Sequence, residues 1–129
     1  MSTVLIHKVN AHRRLCIKKD LREVDMWMEI IESSNEEFNY FSTIENQLIK
    51  NVSVANNIKA MRRKNILMMA ALCKYEQELK TEYDYGKVDY DENRLKHHEK
   101  KRELFLQFTD EYKKFKIAFL NILKTYRRS

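Results

Sequence analysis

The chain is expected to fold as an all-α protein, an antiparallel bundle of three long helices with coiled-coil-like packing. Three observations predict it. Among 129 residues there is no proline and one glycine, so the residues that turns and irregular backbone ordinarily use are missing. Apolar residues recur in steps of three and four along most of the length. Charge falls in alternating blocks that match when the chain is folded back twice. No linker-like tract or internal repeat divides the sequence. It therefore reads as one domain over 1–129, with residues 1–7 as an arm ahead of the first helix.

The first helix is expected from about residue 8 to 50. Leu21, Val24, Met28 and Ile31 form one apolar stripe, and Phe38, Phe41, Ile44 and Leu48 form another. Between them lie two capping-box patterns, Ser33 to Glu36 and Ser34 to Glu37. The apolar phase nevertheless carries across, with Ser34 or Asn35 in the vacant slot, and neither Gly nor Pro interrupts it. One long helix is favoured. A break near Ser33-Ser34, giving four helices, is the alternative.

The second helix is expected to start near Ser53, after an interruption at Asn51. Its seam is Val54, Ile58, Met61, Met68, Leu72, Tyr75 and Leu79, with Asn65 in one core slot. Gly86 should end it in the left-handed conformation. Asp89 is the expected N-cap of the third helix, with Glu92 three residues on. That helix carries the strongest seam, Phe105, Phe108, Tyr112, Phe115, Phe119, Ile122 and Tyr126. Upstream the same phase falls on Lys101, His98 and Arg94, so the seam turns polar.

Charge supports this layout independently. Residues 20–47 hold eight acids and only Arg22, whereas residues 48–75 hold six cations and no acid. A hairpin about Asn51 lays these blocks together. A second fold about Gly86 sets the acidic end of helix two against basic stretches at 8–19 and 94–102. Each exposed pair is worth up to about 1 kcal/mol, but matched blocks disfavour other registers. This register puts Cys73 opposite roughly residue 31, so Cys16 and Cys73 are expected as free thiols.

No apolar run approaches the roughly 18 residues that span a bilayer, and the N-terminal order of charge and apolar residues is not that of a secretory signal. A cytoplasmic location is expected. The stretch "KHHEKKREL", Lys96 to Leu104, holds half of the histidines. No His, Cys, Asp or Glu stands three or four places from His97 or His98 on the same helix, so no metal site is expected there. His98-Glu99, followed by cations and Leu104, resembles over fewer than ten residues the His-Glu element of two-component histidine kinases. His98-x-x-Lys101 is similar to histidine-phosphotransfer bundles. The resemblance implies a phosphoacceptor at His98 with Glu99 as base, and this is the remote alternative for function. The proline of the first element and the small residue of the second are absent. The favoured reading is a solvated basic face, with His98 at the polar end of the seam.

No nucleophile–base arrangement or phosphate-cradling loop is present, so no enzyme, cofactor or small-molecule substrate is expected. A net charge of +6 and a pI near 9.3 raise nucleic acid as a partner. Arg62, Arg63, Lys64, Lys100, Lys101 and Arg102 are its candidate contacts, though acidic blocks face most of these clusters. No membrane association is expected. The favoured function is protein–protein interaction or self-association, of adaptor or scaffold type, with Leu5, Ile6 and Trp27 as candidate contacts. Trp27 stands one place off the core stripe, where half-exposure would suit it to a partner.

Overall fold

The computed structural model describes residues 3–126, and these form three long helices, α1 (Thr3–Ile44), α2 (Val52–Tyr85) and α3 (Glu92–Lys124), in an all-α bundle. α1 reaches back to Thr3, through most of the positions expected as an arm. It also passes Ser33-Ser34 without a break. Ser34 fills the core slot, 4% exposed, and donates its hydroxyl to Ile30 O at 3.0 Å, so its oxygen is turned along the helix and does not cap a new one.

The chain reverses through a π turn, Glu45–Ile49. Lys50 follows in the left-handed region at φ 50°, its N–H closing the turn on Glu45 O at 2.7 Å. Asn51 then caps α2, its Oδ1 accepting from Ser53 N at 2.9 Å and Val54 N at 3.2 Å. Reversal around this turn, ahead of Asn51, shifts the register from the expected one. Asn65, not Cys73, lies against residue 31, and its Nδ2 donates to Ile31 O at 3.2 Å. The same register pairs Arg13 with Glu82, while the long Arg62 side chain reaches about a turn along α1 to Asn39. Both cysteines are unpaired.

The second turn corrects two expectations. Gly86 is extended, φ −68° and ψ 145°, so left-handedness is not its purpose. Space is. A Cβ there would lie 2.5 Å from Glu82 O and 3.1 Å from Arg13 Nη1, and Arg13, 2% exposed, donates to that same carbonyl. The cap of α3 is Asp91, whose Oδ1 accepts from Arg94 N at 3.1 Å, and not Asp89. Tyr90 is drawn inward by a hydroxyl hydrogen bond to Asp20, which leaves the next residue to open the helix.

The core is aromatic where α1 meets α3. Phe38 packs edge-on against Tyr112 with centroids 5.4 Å apart, and Phe41 packs on Phe119 at 4.8 Å. Such pairs contribute about 0.5–1.5 kcal/mol beyond the area they bury. Among the described residues every cross-helix ion pair involves α3. Lys116 meets Glu37 at 2.7 Å, Lys64 meets Glu111 at 2.8 Å, and Arg94 meets Glu82 at 2.5 Å. Arg94–Glu82 realises the match expected across the second turn, whereas among the described residues no ion pair joins the acidic stretch of α1 to the basic stretch of α2; Glu37 and Lys64 pair with α3 instead. No described helix is long and apolar enough to cross a membrane.

Candidate functional site

His98 is not on a wet face. It is 1% exposed, at the centre of a polar cluster drawn from all three helices. The expectation failed because it looked only along α3. His98 stands seven residues before Phe105, on the same buried face. α1 presents Asp20, Glu23 and Trp27 on one face at steps of three and four, and α2 supplies Tyr75. His98 Nε2 lies 2.6 Å from Glu23 Oε1 and 3.4 Å from Asp20 Oδ1, while Nδ1 lies 2.6 Å from the Tyr75 hydroxyl. Trp27 stacks on the imidazole at 5.3 Å and on Phe105 at the same spacing.

The donors and acceptors order themselves. Nε2 faces carboxylate oxygens, which accept, so it carries a proton and donates to Glu23. In the neutral imidazole Nδ1 then accepts from Tyr75, whose hydroxyl keeps its proton because burial raises its pKa. Arg102 forks onto Glu23, with Nε at 2.8 Å from Oε2 and Nη2 at 2.6 Å from Oε1. That fork, outweighing partial burial, holds the Glu23 carboxyl down at about 2. Asp20 shifts the other way. Burial raises its pKa, against the opposing pull of the Tyr90 hydrogen bond and the facing imidazole.

The cluster opens to one side. Asp20, Tyr75 and Tyr90 line a cleft of about 760 Å³ between the C-terminal part of α2 and the start of α3, with His97 and Arg94 on its wall. The chemistry this arrangement offers is a fixed imidazole between two carboxylates of unlike character. His98 has both ring nitrogens engaged, and Glu99 is exposed on the outside of α3, away from the imidazole's partners.

Trp27 is corrected in the same way as His98. At 5% exposed and stacked on two rings it is a core residue, not a surface contact. The buried stripe of α1 runs Val24, Trp27, Ile31, Ser34 and Phe38, so Trp27 and not the half-buried Met28 holds the core position. Leu5 and Ile6 are 48% and 45% exposed. The candidate nucleic-acid contacts are not brought together as one free surface. Arg62 donates to Asn39 Oδ1 at 2.7 Å, Lys64 pairs with Glu111, Lys101 lies over the Tyr75 ring, and Arg102 is held by Glu23. Arg63 and Lys100 are exposed.

A second feature escaped the sequence pattern. Between α2 and α3 runs a groove of about 300 Å³, floored by Met68, Leu72 and Phe108 and rimmed by Leu67 and Leu104. Leu67 and Leu104 remain 59% and 48% exposed. Lys64, Lys101 and Glu111 border it. No protein-family model, curated protein or solved structure matches the chain.

Proposed function

We propose that the chain is a non-enzymatic interaction module whose partner at the α2–α3 groove is a second copy of itself. The observation that carries this reading is the exposure of Leu67 and Leu104 above an apolar floor, since contiguous apolar surface of this kind marks contact sites. Charge supports a twofold arrangement. Along α3 the groove runs Lys101, Leu104, Gln107, Phe108, Glu111. An antiparallel pairing centred on Leu106 sets Lys101 of one copy opposite Glu111 of the other, twice, each Glu111 then lying between Lys64 of its own chain and Lys101 of its neighbour. Twofold dimers are the commonest self-assembly and need such self-complementary patches.

Light scattering on the size-excluded protein tests the reading. The expected mass is twice the 15.7 kDa of one chain at micromolar concentration, falling to one chain mass in Leu67→Glu and Leu104→Glu. Both side chains are exposed, so the variants should keep the helical circular dichroism of the parent. A chain mass of one up to about 100 µM, or a dimer indifferent to both substitutions, overturns it.

A further inference from the structure

We propose that Asp20, Glu23 and His98 form a binding site for one first-row divalent transition-metal ion. Their donor atoms all lie within 4.8 Å of one another, one imidazole nitrogen and two carboxylate oxygens from two different helices. Asp20 and Glu23 are three residues apart on α1, the spacing at which two helical side chains reach one point. Donors around a tetrahedral ion with bonds of about 2.0–2.1 Å stand roughly 3.3 Å apart. His98 Nε2 to Asp20 Oδ1 is already 3.4 Å, so the Glu23 side chain, 2.6 Å from Nε2, has the larger adjustment to make.

The atoms not aimed at this point are held from outside. Tyr75 holds His98 Nδ1, Tyr90 holds Asp20 Oδ2, and Arg102 Nε holds Glu23 Oε2. This is the outer shell that orients ligands in metal sites, and Trp27 fixes the plane of the imidazole. Burial, which raises the Asp20 pKa, also leaves a carboxylate that a cation would stabilise. The neutral imidazole takes the tautomer with its proton on Nδ1, which donates to the Tyr75 hydroxyl oxygen; the ion takes the freed Nε2 lone pair, and Arg102 Nη2 gives up Oε1 while its Nε stays on Oε2. Two carboxylates balance the 2+ charge. A nitrogen donor and only three protein ligands favour Zn²⁺, Co²⁺ or Mn²⁺ over Ca²⁺ or Mg²⁺. Asp20 also lines the 760 Å³ cleft, which supplies a route in and water for the remaining positions.

The test uses chelator-treated full-length chain titrated with Zn²⁺ by calorimetry and with Co²⁺ by fluorescence. Trp27 is the sole tryptophan, so quenching by Co²⁺ reports an ion beside His98. We expect one equivalent bound with micromolar affinity or better, and Co²⁺ quenching. Affinity should fall by about tenfold or more in His98→Gln, Asp20→Asn and Glu23→Gln. Glu23 is partly exposed, so its variant remains informative if a buried change impairs folding. His12 and Cys16, 3.6 Å apart on α1, are another place where Zn²⁺ could lodge, and the double variant His12→Gln, Cys16→Ser should bind as the parent does. Loss of binding in that double variant, undiminished binding in Glu23→Gln, or no binding tighter than about 100 µM each overturns the assignment.

Discussion

Replacing Glu23 by Gln tests the electrostatics of the His98 cluster through stability alone. The substitution keeps shape and one acceptor for His98 Nε2, and removes the charge that Arg102 forks onto. A carboxyl brought from its usual 4.5 to about 2 corresponds to roughly 3 kcal/mol in favour of the folded state at neutral pH. The Glu23 side chain is 31% exposed and Arg102 39%, so screening reduces this to about 1–2 kcal/mol. The sign follows from the lowered value. The contribution is complete above about pH 4.5, where the unfolded carboxyl is also ionised, and disappears as pH falls through about 2. Urea unfolding of parent and variant, in chelator, should show Glu23→Gln less stable by about 1–2 kcal/mol at pH 7. The gap should narrow steadily between pH 4.5 and pH 2.5. Equal stabilities at pH 7, or a gap that persists undiminished at pH 2.5, would refute the reasoning.

Three further substitutions probe neighbouring features. Tyr75→Phe strands the buried His98 Nδ1 without its 2.6 Å partner and should cost about 1–3 kcal/mol in urea unfolding; no loss would mean that another donor reaches the nitrogen. Gly86→Ala should destabilise by about 1–3 kcal/mol although its φ suits alanine, because the new Cβ meets the Glu82 carbonyl at 2.5 Å; a neutral or stabilising outcome would show that the backbone there gives way. Lys50→Gly should raise stability by about 0.5–1 kcal/mol, since φ 50° strains a side-chain-bearing residue, and a lower thermal midpoint would contradict this.

The architecture was largely legible because it is written in local terms. Period three-to-four apolar spacing from Val24 to Phe41, with Ser34 in the vacant core slot, is enough to carry α1 through the serines, and the structure keeps it whole. Turn details were less legible. Asp89 and Asp91 offer the same capping chemistry, and the choice between them depends on Tyr90 reaching Asp20, seventy residues away. Gly86 was right as a helix end but for a different reason, a crowding by Arg13 and Glu82 that appears only once α1 and α2 are side by side.

The His98 cluster was invisible for the same physical reason. Along α3 its neighbours are cations, which argued for solvent and against a ligand set. Its partners come from α1 and α2, and only the register of the bundle brings Asp20, Glu23 and Tyr75 to one point. A signal did exist. His98 lies in the phase of the aromatic seam, and Asp20 lies in the phase of Val24, Trp27 and Ile31, so two polar residues occupied core positions on helices predicted to be neighbours.

The groove claim is tested most directly by an intermolecular distance. With Cys16 and Cys73 replaced by Ser, a nitroxide placed at exposed Gln107, next to the proposed twofold axis, reports on its counterpart in the other copy by pulsed dipolar spectroscopy. Packed helices lie about 8–10 Å apart, so the account predicts a narrow distribution at roughly 20 Å or less that vanishes when Leu104→Glu is added. A signal with no intermolecular modulation, or a short distance that survives Leu104→Glu, would contradict a dimer built on this groove.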